Sequence, residues 1–366
     1  MGDADRQAKT RLRRVDPAGP GLTRRRHGRG FGYLDQTGTT ITDAAVLERI
    51  RALALPPAWT DVWICPRPDG HIQAVGSDAA GRRQYVYHAS WRARRDVAKH
   101  DRAAELARHL PRARTKVEED LARPGLGRER VLAACFHLVD LGFFRSGSEQ
   151  YARANGSCGL TTLRREHLRV RQGQLRFAFP AKSGRTRIRV LVDDRVKPVV
   201  VALRRSATGE DPLFRYRRDD GRLVAVHAAD LNAYIRERTG GDFTTKDFRT
   251  WHATVLAAVG LAVSVEAADS PTGRTRARAR VVREVADHLG NTPAVARASY
   301  IDPRVFDCYE RGITVARALT RMGAGMDFGD LATRGPMERA VLRMLDRERR
   351  PPSGRDPAPP RPQGDD

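Results

Sequence analysis

The sequence predicts an α+β chain: a small β-rich N-terminal domain, then a larger, mainly α-helical domain containing a three-stranded β-meander. Three observations lead there. Residues 30–91 fall into short strand-like runs broken by turn residues. Beyond Trp91, apolar residues recur at helical spacing. Between Leu168 and Val192 that spacing gives way to three alternating runs. A length of 366 residues accommodates two domains with tails to spare.

Residues 1–27 read as a flexible basic arm, carrying Arg11, Arg13, Arg14, Arg24, Arg25 and Arg26 with few apolar anchors. Residues 28–92 form the β-rich domain. Its one short helix, Asp43 to Leu55, stops at Pro56-Pro57. Asp61 to Pro66 reads as a strand, Pro68-Asp69-Gly70 as a turn and His71 to Val75 as the return. In Gln84-Tyr85-Val86-Tyr87 the alternation puts both tyrosines on one face.

Residues 93–348 form the helical domain. A very basic helical stretch from Trp91 to Leu121 is interrupted at Pro111. Arg128 to Phe143 repeats Val131, Cys135, Leu138 and Val139 at helical spacing and runs into Phe144-Arg145-Ser146-Gly147. The meander follows, with Leu168 and Val170, then Leu175, Phe177 and Phe179, then Ile188, Val190 and Val192. Lys182-Ser183-Gly184 makes its second turn. The remainder reads as helices over 194–205, 230–238, 245–263, 275–289, 293–300, 303–318 and 334–348. Residues 349–366 form a tail, with six prolines in the sixteen residues from Pro351, and disorder is expected. No internal repeat is evident.

Composition excludes several classes of function. Lysine and arginine number 67 against 44 aspartates and glutamates, a net charge of +23, which points to a polyanionic partner. The four cysteines, Cys65, Cys135, Cys158 and Cys308, form no Cys-x-x-Cys pair, and there is no His-Glu-x-x-His, so no metal site is expected. No Walker-type glycine loop suggests a nucleotide. No apolar run is long enough to span a membrane and no secretory signal opens the chain. The expectation is a soluble, intracellular, basic protein without cofactors.

Four segments offer chemistry on a phosphodiester without a metal. Arg145 precedes the small residues Ser146-Gly147-Ser148, where backbone can approach a phosphate. Lys182 sits at a hairpin tip. Thr244-Thr245 can cap a helix whose first turns carry Lys246 and Arg249 on one face. In Leu289-Gly290-Asn291-Thr292-Pro293, Gly290 suits a helix end, and Thr292 and Pro293 a helix start that leads to Tyr300. A tyrosine oxygen can attack phosphorus and form a covalent ester. Arginines and an amide can stabilise the charge on the nonbridging oxygens. A lysine ammonium, unlike a guanidinium, can protonate the departing oxygen.

Each residue also has an ordinary reading. Among 61 arginines, Arg145 or Arg249 can be simple surface or phosphate-backbone residues. Tyr300 can be a packing aromatic and Asn291 a turn residue. Lysine discriminates better, since only six occur and two fall at 182 and 246. Composition and spacing alone leave two readings open, a DNA-binding protein and a nuclease-like enzyme.

Taken together, from about Gly30 to Gly323, these segments resemble the type IB DNA topoisomerases of the compact poxvirus and bacterial kind. The resemblance rests on the order and spacing of Phe143-Phe-Arg-Ser-Gly-Ser148, Gly156-Ser-Cys-Gly-Leu-Thr-Thr-Leu163, Ala181-Lys-Ser-Gly184, Thr245-Lys-Asp-Phe-Arg-Thr-Trp251 and the run from Leu289 to Tyr300. It implies a clamp around duplex DNA, with Tyr300 as nucleophile for a 3′-phosphotyrosyl link. It further implies Arg145 and Arg249 on the phosphate oxygens, Lys182 as general acid and Asn291 as donor to a nonbridging oxygen. Many relatives carry histidine where this chain has Asn291; asparagine keeps a donor but removes an imidazole acid. The same resemblance implicates Gln84, Tyr85, Tyr87, Tyr151 and Lys246 in DNA contact, and neither ATP nor metal in the reaction.

His252 departs from the family pattern, where a small residue is usual, and reads as a packed histidine rather than a DNA contact. The alternatives are a tyrosine site-specific recombinase and a non-catalytic DNA-binding protein. Recombinases generally place His-x-x-Arg where this chain has Lys246-Asp-Phe-Arg249, which favours the topoisomerase. A monomer in the cytoplasm, associated with the nucleoid, is expected.

Overall fold

The computed structural model describes residues 11–28, 30–142, 144–149, 152–153, 156–181, 185–265, 270–322 and 334–349. Two compact units divide between Lys99 and His100.

In the first unit, strands β1 (Leu22–His27), β2 (Gly30–Leu34), β3 (Thr60–Ile64), β4 (Ile72–Ser77) and β5 (Arg83–Tyr87) form one antiparallel sheet in the order β2-β1-β3-β4-β5. Helix α1 (Ala44–Ala52) is capped by the Asp43 carboxylate, which accepts from the Val46 amide. Leu22, Ile50, Val62, Ile64 and Ala74 make the core. The sequence-based basic arm needs correction, because its last six residues are β1, inside the sheet between β2 and β3. Long-range pairing supplies the anchor that local composition lacks: Leu22 is buried, Arg24 donates to Trp59 O at 2.6 Å, and the Trp63 indole donates to Gly19 O.

Helix α2 (Ala89–Ala122) runs unbroken through Pro111, where an interruption was expected. Leu106, Ala107, Leu110, Ala113, Val117 and Leu121 are all buried, so packing along one continuous stripe outweighs the local proline cost. Helix α3 (Arg128–Gly142) follows. Strands β6 (Leu168–Arg171), β7 (Gln174–Pro180) and β8 (Thr186–Leu191) form the antiparallel three-stranded sheet. Next come helix α4 (Lys197–Ser206) and a hairpin of β9 (Arg215–Arg217) and β10 (Leu223–Ala225), which the sequence reading missed. Its strands are too short for periodicity to register, and only Asp219-Asp220-Gly221 marks the turn.

Helices α5 (Ala228–Thr239), α6 (Thr245–Val263), α7 (Pro271–Leu289) and α8 (Pro293–Ser299) complete the frame of the candidate site. The helix expected over 303–318 is instead two, α9 (Arg304–Glu310) and α10 (Ala316–Met322). Gly312 breaks it with φ +72°, a left-handed conformation that glycine adopts without strain. Helix α11 (Pro336–Arg349) is the last described element.

Helix α6 is buried along most of its length. Beneath it, Arg114 on α2 pairs with Asp140 on α3 at 2.8 Å and with Glu338 on α11 at 2.6 Å. The Trp251 indole donates to the same Glu338. His252 is fully buried, 3.6 Å from Asp140. A histidine inside this network is a packing residue, as read from the sequence.

Candidate active site

Arg145 lies just beyond α3 on a segment tied to residues 159–161. The Leu160 amide donates to Arg145 O and the Thr161 amide to Ser146 O, both at 2.8 Å. This pairing needs glycine on both sides. Gly147 has φ +103°, and a side chain at Gly159 would strike the Gly147 backbone. Gly156–Leu163 therefore braces the arginine segment.

Helix α6 begins with Thr244 as N-cap and Asp247 reaching back to the Thr244 amide at 2.7 Å. That cap places Lys246 exposed and Arg249 buried on the first turns. Helix α7 ends at Gly290, whose φ of +64° closes the helix, while the Asn291 amide donates to Ala286 O at 2.9 Å. Thr292 then caps α8 through the Val295 amide, and Pro293 takes its first position. Tyr300 follows as the C-cap of α8. Thr254 of α6 donates to Tyr300 O and accepts from the Asp302 amide, which holds the backbone on both sides of the tyrosine.

These elements converge. Arg145, Lys246, Arg249 and Tyr300 line one open cavity of about 310 Å³, together with Ser146, Cys158 and Thr245 among others. The Arg249 guanidinium carbon sits 5.3 Å from the Tyr300 ring centre and its Nη2 donates to Leu289 O at 3.0 Å. Arg145 Nη2 donates to Asn291 Oδ1 at 2.9 Å, which brings Asn291 into the group. The Asn291 Nδ2 is buried and has no hydrogen-bond partner among the described residues.

Burial and the nearby Arg145 lower the Arg249 pKa to about 10, against the pull of Tyr300. Such crowding of positive charge is relieved by a bound anion. The arrangement can thus hold a phosphate between two guanidiniums and an amide, beside a tyrosine hydroxyl.

Lys182 and Tyr151 lie outside the described residues. Ala181, the residue before Lys182, lines a small second cavity that shares Arg145 and Arg249 with the first. Gln84, Tyr85 and Tyr87 belong to the first unit. On the edge strand β5, the rings of Tyr85 and Tyr87 stack at 6.0 Å, and Gln84 Nε2 donates to Asp78. Sequence reasoning missed Arg187 and Arg189 of β8, which line the second cavity. Their alternation with Ile188 and Val190 would have pointed them to solvent, so no local signal marked them.

Fold and cavity together define a basic protein able to seat a phosphodiester beside a tyrosine. Comparison with known proteins makes the assignment specific. Residues 88–319 match the family described as the catalytic core of eukaryotic DNA topoisomerase I, and residues 30–78 match the N-terminal domain of bacterial DNA topoisomerase IB. DNA topoisomerase 1B of Acanthamoeba polyphaga mimivirus is 30% identical over 298 residues, covering 79% of this chain and 88% of the relative. DNA topoisomerase 1B of Vaccinia virus (strain Copenhagen) is 21% identical over 235 residues, covering 64% of this chain and 71% of the relative. The chain belongs to the type IB DNA topoisomerases.

Proposed function

We propose that Tyr300 is the nucleophile of DNA relaxation by this enzyme, with Arg145, Arg249 and Asn291 binding the scissile phosphate and Lys182 as general acid. The Tyr300 hydroxyl gives up its proton to solvent and its oxygen bonds to phosphorus as the bond to the 5′ oxygen breaks. Lys182 gives that oxygen its proton, leaving a 3′-phosphotyrosyl ester and a 5′ hydroxyl. The ester retains the energy of the broken bond, so the 5′ hydroxyl can displace tyrosine after the duplex has swivelled about the intact strand, with no ATP or metal. Arg145, Arg249 and the Asn291 amide would stabilise the charge that gathers on the nonbridging oxygens.

The observation that carries this reading is the single cavity shared by Arg145, Arg249 and Tyr300. Lys246 at its rim, with Tyr151, Gln84, Tyr85 and Tyr87, would contact the DNA, and the two domains would close around it as a clamp. The enzyme would act as a monomer in the nucleoid-associated cytoplasm.

The test is relaxation of a supercoiled plasmid in EDTA without ATP. Wild type should relax it and Tyr300→Phe should not, while plasmid affinity stays the same. Relaxation by Tyr300→Phe would overturn the assignment of the nucleophile.

A further inference from the structure

Strand β8 is turned against ordinary sheet logic. Its register pairs Arg189 with Phe177 and Arg187 with Phe179, so both arginines share the face of two buried phenylalanines. Ile188, Val190 and Val192 are left 49%, 49% and 70% exposed. A one-residue slip would bury the apolar side chains and expose the arginines. The native register gives up that burial, and both inward guanidiniums meet the end of α7.

There, four arginines hold four consecutive carbonyls. Arg187 Nη2 donates to Asp287 O at 2.9 Å and to His288 O at 2.5 Å, and Arg189 also donates to His288 O. Arg249 takes Leu289 O, and Arg145 takes Gly290 O at 3.4 Å. The last carbonyls of a helix lack intrahelical partners and carry its negative dipole end, so cations suit them. The next residue in the chain is Asn291.

We propose that Arg187 and Arg189 are positioning residues for the cleavage step. They grip the Asp287–His288 end of the turn while Arg249 and Arg145 hold its Leu289–Gly290 end, and this fixes the direction of Asn291 Nδ2. The inference rests on the reading of Asn291 as a phosphate donor. Arg187 and Arg189 do not line the cavity that holds Tyr300; they act through the backbone that carries the amide.

The test is a double-mutant cycle on the full chain, with enzyme in excess over supercoiled plasmid and the initial relaxation rate as readout. Arg187→Gln with Arg189→Gln should slow relaxation about 10²-fold, the cost of a small misplacement. Plasmid affinity should hold within about twofold. In an Asn291→Ala background the same pair should cost no more than about twofold further, because the two changes act on one interaction. An arginine effect equally large in both backgrounds, or none in wild type, would overturn the inference. Should the glutamine pair fail to melt cooperatively, Arg187→Lys with Arg189→Lys keeps the charge, removes the fork and enters the same cycle. If Asn291→Ala relaxes at the wild-type rate while the arginine variants are slow, the grip acts elsewhere and this inference falls, with Tyr300 unaffected. Relaxation by Tyr300→Phe would instead sink the functional reading itself.

Discussion

Arg145 donates to the side-chain oxygen of Asn291 at 2.9 Å. That contact sets which end of the amide faces Arg145, because only the oxygen can accept, and it leaves the donor Nδ2 for another partner. The proposed phosphate site would thereby combine a charged donor with a neutral one.

Asn291→Ala should lower the cleavage rate about 10²–10³-fold, the usual cost of losing one oxyanion donor. Asn291→His keeps a ring N–H donor and should retain most of the rate. Asn291→Asp, an acceptor at neutral pH, should be at least as slow as alanine. Single-turnover cleavage of the three variants checks the order.

For Arg249 the expected loss on truncation to alanine is about 10³–10⁵-fold, by analogy with an arginine that stabilises phosphoryl-transfer charge. Arg249→Lys should recover only part of it, because a point charge cannot make the forked contact. Equal rates for Arg249→Lys and wild type would remove the bidentate role.

Gly290→Ala tests the turn. A Cβ there would collide with the Arg187 guanidinium, and the left-handed backbone disfavours any side chain. Strain of this kind costs about 1–3 kcal/mol, read from denaturant melts. Relaxation should fall in the same variant, since Asn291 adjoins the strained residue.

The buried Asp140 gives a pH signature. Burial would raise its pKa, yet Arg114, His252 and Arg334 hold it well below the usual carboxylate range. A depressed folded-state pKa contributes stability that is present above the unfolded value near 4 and is lost as pH falls through the folded one. Asp140→Asn should therefore destabilise the protein at pH 7 by about 3–5 kcal/mol. The gap to wild type should narrow as the pH drops below about 4. A constant gap from pH 7 to pH 2 would contradict the ion pairing.

Plasmid binding should weaken steeply with salt. If six or more phosphates are neutralised, affinity falls about 10³-fold or more between 50 and 200 mM salt. A flat response would argue against the clamp.

Local chemistry made much of this protein legible before any fold was known. The Gly290, Thr292 and Pro293 punctuation ends α7 and starts α8 where the sequence places them, because capping depends on neighbouring residues. The order of the arginine, lysine, asparagine and tyrosine segments likewise pointed to the family before the convergence of Arg145, Arg249, Asn291 and Tyr300 was visible. What only the tertiary structure decided depends on partners distant in sequence. Leu22–His27 is a strand because β2 and β3 flank it, and α2 passes Pro111 because a continuous apolar stripe is buried. His252 is packed because Asp140 lies behind it. Most of all, the inward turn of Arg187 and Arg189 is a matter of register: the alternating Arg-Ile-Arg-Val run by itself would bury isoleucine and valine, and only pairing with β7 and the carbonyls of α7 turn the arginines inward.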